Sequence, residues 1–189
     1  SVKGDFTPYW EDGAASSALE TAMNRNSAAR LMQAEALWAM LDPQHVPSEE
    51  FYEAWRQVVL YDEHTWGAIQ YNVTNYDVPF IRDQWKIKQA FALDASMQSQ
   101  KLLAASVAGR SSTGSPAATV DVLNTTSWTR TDLIVLPASM KLAGDAVKDS
   151  TGRTVPSQRL STGELAFLAT AGPPLGAARF VFHPGQPEP

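Results

Sequence analysis

Cysteine is absent from the 189 residues, and histidine occurs three times. Without cysteine there is no thiol nucleophile, no thiolate metal site and no disulfide framework. His45, His64 and His183 include no two spaced for a helix-borne metal pair, which excludes a complete His-rich centre. Long apolar runs are also missing: the longest uninterrupted stretches are a few residues, far below the ~20 needed to span a bilayer, so no membrane partner is expected. Basic residues are outnumbered, 15 Lys and Arg against 20 Asp and Glu, and the net charge of -5 repels phosphate backbones and sets nucleic acid aside as a partner. No compositional bias of the disordered, collagenous or miniprotein kind is present, since 44% hydrophobic and 19% charged residues is near the globular average. The start at Ser1 lacks a basic stretch followed by an apolar one, and the chain reads as cut from something longer. Cytoplasm and bacterial periplasm are both compatible with a cysteine-free chain.

What is present divides in the middle. At ~100 to 200 residues per domain the length allows one full domain or two small ones, and the composition favours two. Residues 14 to 108 hold few glycines or prolines and read as helix, residues 118 to 189 are rich in Gly, Pro, Thr and Val and read as strand and turn, and a small polar linker from Gly109 to residue 117 separates them. The expected fold is therefore α+β: an N-terminal arm plus three-helix bundle over 1–108, then a small antiparallel β-sandwich unit over 118–189 that continues beyond the chain.

The first helix is predicted from Ser16 or Ser17 to Leu41, where Pro43 forbids continuation, and its many alanines imply close packing. The second opens at Pro47-Ser48 and carries an amphipathic stripe, Phe51, Ala54, Trp55, Val58 and Val59, expected to be buried. The third has Asp77 as its cap, Pro79 in its first turn, Ile81, Trp85, Ile87, Phe91 and Leu102 as its apolar positions and Gly109 as its stop. About six short strands follow: 119 to 123, 132 to 136, two from the hairpin at 147 to 155 around Asp149-Ser150-Thr151-Gly152, a similar layout at 160 to 167 around Ser161-Thr162-Gly163-Glu164, and 177 to 182. Two glycosylation-type sequons, at Asn72 and Asn124, carry no weight without a secretory context.

Two segments concentrate chemistry. Tyr61-Asp62-Glu63-His64-Thr65-Trp66-Gly67-Ala68 puts two carboxylates, an imidazole and an indole beside a glycine just past a helix end. A structural reading of the same residues makes Asp62 and Glu63 solvated charges, His64 a helix C-cap and Trp66 a plug in the bundle's end. Phe6-Thr7-Pro8-Tyr9-Trp10-Glu11-Asp12-Gly13 has the aromatics and carboxylates of a sugar-stacking loop, or of an N-terminal arm packed on the bundle by Tyr9 and Trp10. His45 and His183, in an interhelical loop and a Pro-rich tail, read as plain surface histidines.

The order of these features carries a resemblance. An aromatic-Trp-Glu-Asp-Gly loop, a long helix, an amphipathic helix, DEHTWGA, a third helix and then NTTSWTRTDLIVLP is similar to the family-38 glycoside hydrolases, the α-mannosidase family. In that family an Asn-x-x-Ser-Trp-x-Arg-Thr-Asp segment begins the β-sandwich part, and here it is Asn124 to Asp132. The resemblance covers essentially this whole chain but only a middle slice of the family's architecture.

The resemblance implies a retaining, metal-assisted hydrolase of terminal α-mannosides. Trp10 corresponds to the aromatic that stacks on the sugar ring, and His64 to the histidine that helps hold a divalent ion, usually zinc. Family members place the acids after that histidine, whereas here they precede it. A slip of one or two positions would make Asp62 the contact and His64 its neighbour, so Asp62 joins Trp10 as a substrate-binding candidate. Retaining glycosidases need two carboxyls ~5 to 5.5 Å apart. The family carries both in an upstream α/β catalytic domain marked by a His-x-Asp motif, and no His-x-Asp occurs here. The expected partners are α-mannoside glycans and that upstream domain, and the 189 residues alone are expected to be inactive and to hold the ion weakly or not at all. A rival of another class is a stand-alone carbohydrate-binding or scaffolding module whose Trp10 and Trp66 stack on glycans without catalysis.

Overall fold

A computed structural model of the chain describes residues 17–63, 78–109 and 116–187. It is an α+β protein of two units, divided between Val107 and Ala108.

In the first unit, α1 (Ala18–Leu41) is built from Ala, Leu, Met and Glu, all good helix formers, and stops at Asp42 ahead of Pro43. Its flanking Ser17 makes no side-chain cap. The Ser17 hydroxyl instead reaches the Tyr61 hydroxyl at 3.1 Å. The second helix, α2 (Ser48–Tyr61), follows Pro47 and carries Glu49 and Glu50 in its first turn, where carboxylates suit the positive end of the helix dipole. The third, α3 (Val78–Ser106), runs for 29 residues; the chain then turns through Gly109, whose φ of 73° is the left-handed conformation that ends helices. The expected cap at Asp77 lies outside the described residues.

The seam of the bundle mixes small residues with a few large ones. Buried positions alternate three and four apart: Asn24, Ser27, Leu31 and Ala34 on α1, Phe51, Ala54, Val58 and Tyr61 on α2, and Lys88, Ala92, Ala95, Ser99, Leu102 and Ser106 on α3. Such spacing keeps one face of each helix on its partners, and alanines and serines let the axes approach closely. Its polar members are bonded: Ser27 Oγ donates to the Met23 carbonyl at 2.8 Å, Arg30 to Ser99 Oγ at 2.9 Å, and Trp38 Nε1 to the Leu102 carbonyl at 3.2 Å. Phe51, Ala54, Val58 and Leu102 are buried as expected, whereas other expected apolar positions are not. Val59 is 65% exposed, Ile87 60% and Trp85 44%. Trp55 is half-buried and its indole donates to Glu35 Oε1 at 2.7 Å.

The second unit has seven strands among the described residues: β1 (Thr119–Asn124), β2 (Arg130–Leu136), β3 (Ala146–Asp149), β4 (Thr154–Val155), β5 (Ser157–Arg159), β6 (Leu165–Gly172) and β7 (Gly176–His183). They form two antiparallel sheets, ordered β1-β7-β3-β4 and β2-β6-β5. Pro156, between β4 and β5, is where the chain changes sheet; proline has no N–H to give a ladder. Inward residues of both sheets make one core, with Val147, Val155, Phe180 and Phe182 facing Leu136, Leu165, Phe167 and Ala169. The Phe167 ring lies 4.8 Å from that of Phe180 and 5.8 Å, edge on, from that of Phe182.

The Asn124–Asp132 segment is the passage from β1 into β2. Asn124 is 6% exposed, and its amide nitrogen lies 2.8 Å from the Trp128 carbonyl, 3.0 Å from that of Pro173 and 3.2 Å from that of Gly172. Its Oδ1 accepts from the Thr126 amide at 3.0 Å and the Thr126 hydroxyl at 2.7 Å. With that nitrogen enclosed, the Asn124 sequon has no acceptor to offer a glycan in the folded state.

Candidate functional site

Of the residues singled out in the sequence, Trp10, His64 and Trp66 lie outside the described residues, and Asp62 and Glu63 lie within them. Asp62 stands at the C-terminal end of α2, its amide donating to the Val58 carbonyl at 3.2 Å. This end is held from two sides by residues that sequence reasoning passed over.

From α1 comes Asn24, 2% exposed. Its amide nitrogen donates to Asp62 Oδ1 at 2.9 Å and lies 3.3 Å from the Val58 carbonyl, while its own Oδ1, buried, finds no partner. A buried acceptor without a donor carries a cost that works against the two bonds of the same amide. Thr21 Oγ1, one turn earlier, lies 2.9 Å from the Tyr61 hydroxyl. From α3 comes Lys88, whose side chain is 4% exposed. Its Nζ donates to the Leu60 carbonyl at 3.0 Å and the Glu63 carbonyl at 2.6 Å, lies 3.6 Å from Glu63 Oε2, and sits 5.9 Å from the centre of the Tyr61 ring. Burial pulls the Lys88 ammonium below the ordinary lysine range, against the opposing pull of Glu63 and Asp62.

Beside this end is a cleft of about 230 Å³ lined by Leu60, Glu63, Gln84, Ile87, Lys88 and Phe91. Asp62 is exposed, and among the described residues Asn24 takes its Oδ1, which leaves Oδ2 to accept a hydroxyl hydrogen. The helix end thus presents one carboxylate oriented by Asn24 and able to accept hydrogen bonds.

A divalent ion needs more than this. Among the described residues no three His, Cys, Asp or Glu side chains gather into a metal-binding group, so they do not by themselves build a zinc centre. His45 is 75% exposed with Nδ1 2.7 Å from Asp42 Oδ1, and His183 is exposed at the end of β7.

Comparisons of the chain with models of known families, with curated proteins and with solved structures give no match.

Proposed function

We propose that this chain is the helical bundle and the first β part of a retaining α-mannosidase of glycoside hydrolase family 38. One observation supports the reading above others: the two segments that resemble the family both start at backbone held by a buried polar side chain. DEHTWGA begins on the end of α2 held by Asn24 and Lys88, and NTTSWTRTD is the β1-to-β2 passage held by Asn124.

On this reading the chain supplies one wall of the sugar site. Asp62 accepts a mannose hydroxyl through the oxygen that Asn24 leaves open, and Trp10 stacks on the C–H face of the ring. His64 contributes one ligand to a divalent ion that steadies sugar hydroxyls when bound. The nucleophile and the acid/base are carried by an α/β domain of the same protein, and the 189 residues alone turn over no mannoside.

The test is His64→Ala in the full-length protein, with metal content and activity on an aryl α-mannoside measured together. Joint loss of both is expected. Wild-type stoichiometry and rate would remove His64 from the site. Glycan binding with no turnover by the wild-type protein would favour a carbohydrate-binding module instead.

A further inference from the structure

We infer that Lys88 is a positioning residue for the Asp62 site: its buried ammonium fixes the backbone at the end of α2, from Leu60 to Glu63. The functional half of this inference rests on the α-mannosidase reading; the structural half does not.

Every other buried seam residue of α3 is Ala, Ser or Leu, and Lys88 is the one charged side chain among the buried residues described. Burying an ammonium costs solvation that a methionine of similar length would not lose, so stability alone gives no reason for lysine at this position. Lysine brings three donors that diverge from one point. Two of them fall on the carbonyls of Leu60 and Glu63, one inside the last turn of α2 and one two residues past its end, so a single group ties the helix to the backbone beyond Asp62. Glu63 Oε2, 3.6 Å from Nζ, adds an ion pair at the same point. A cation is also the charge favoured at the negative end of a helix dipole. Asn24 meets Asp62 from α1, so Asp62 is flanked in sequence by residues tied to α3 while its own carboxylate is tied to α1. Two anchors from two helices leave the carboxylate little freedom, as a group that must meet a substrate within a fraction of an ångström requires.

The experiment uses the full-length protein, with Lys88→Met to keep the stem and remove the cation. Leu102→Ala serves as the control, since it opens a cavity in the same bundle roughly 20 Å further along α3. Hydrogen exchange at the Asp62 amide and steady-state kinetics on an aryl α-mannoside are both measured. In Lys88→Met, Asp62 exchange is expected to rise at least tenfold relative to Leu31 and Ala95, and kcat to fall by about ten- to a hundredfold with KM changed less. Leu102→Ala is expected to lower Tm with neither effect. Unchanged Asp62 exchange in Lys88→Met, or equal effects in Leu102→Ala, would overturn the inference. Should Lys88→Met not fold, the wild type decides: an Asp62 amide that exchanges as a frayed end overturns it, and one that exchanges only with global opening supports it. Faster exchange in the variant, with no mannoside turnover by the wild type, would end the mannosidase reading and leave the positioning of Asp62 standing.

Discussion

Replacing Asn124 separates hydrogen bonding from shape at the entrance to the β unit. Its amide has two hydrogens for three carbonyls at 2.8, 3.0 and 3.2 Å, so at least one hydrogen is shared. Asn124→Ala removes all three bonds and strands the buried Gly172 carbonyl, while the part-buried Trp128 carbonyl keeps the Thr126 hydroxyl at 3.2 Å. At ~1 kcal/mol for each net hydrogen bond lost and ~1 to 3 kcal/mol for a buried group left without a partner, the expected cost is about 2 to 4 kcal/mol. In a unit running from Ala108 to Pro189 this lowers Tm by roughly 10 to 25 °C. Asn124→Asp keeps the shape and the Thr126 contacts but turns the donor into a carboxylate facing three carbonyls. Repulsion and burial raise that carboxyl's pKa in the folded state, so its stability is greatest at low pH and is lost as pH rises through the folded value. Asp is therefore expected to be worse than Ala at pH 7 and to recover as pH falls below about 4. Thermal unfolding of both variants, followed by hydrogen exchange on β1 and β6 at several pH values, reads this directly. A loss under 0.5 kcal/mol in Asn124→Ala, or an Asp variant stabler than the Ala variant at pH 7, would refute the reasoning.

Gly144→Ala is expected to cost at least ~2 kcal/mol, because a Cβ there would sit 1.9 Å from the His183 carbonyl oxygen and backbone must move; urea unfolding checks it. Phe167→Ala, at 1% exposure between Phe180 and Phe182, is expected to cost about 3 to 5 kcal/mol by the same assay. Asp149 is held at about 2 by the Thr151 hydroxyl, with the Arg153 and Thr151 amides and the Arg153 guanidinium adding to it. A carboxyl lowered from 3.8 contributes stability above 3.8 that is lost as pH falls through about 2, so wild type and Asp149→Asn should differ at neutral pH and converge in acid.

The local punctuation of the fold was legible in the sequence. Pro43 and Gly109 stop α1 and α3, and Gly152 and Gly163, at φ of 84° and 97°, take the turns that their flanking residues announce. What hid was the identity of the buried faces. Large side chains such as Ile87 and Trp85 draw the eye, yet close helix packing places Ala92, Ala95 and Ser99 inside and leaves the large residues at the rim. Sheet membership is a long-range property: nothing within Leu133 and Leu168 announces that they pair. At the candidate site, the acids of DEHTWGA were visible, whereas Lys88 and Asn24, buried polar residues in helical seams, look like exposed positions in a linear pattern. A polar residue at a strict three-four repeat of small residues is the signal that would have found them.

The stereochemistry of turnover decides whether the parent protein is a retaining α-mannosidase. The full-length protein is given an aryl α-mannoside and the first-formed sugar is followed by proton NMR. The account requires hydrolysis with α-mannose appearing before mutarotation, as a glycosyl-enzyme intermediate dictates. No hydrolysis, or β-mannose released first, would contradict it.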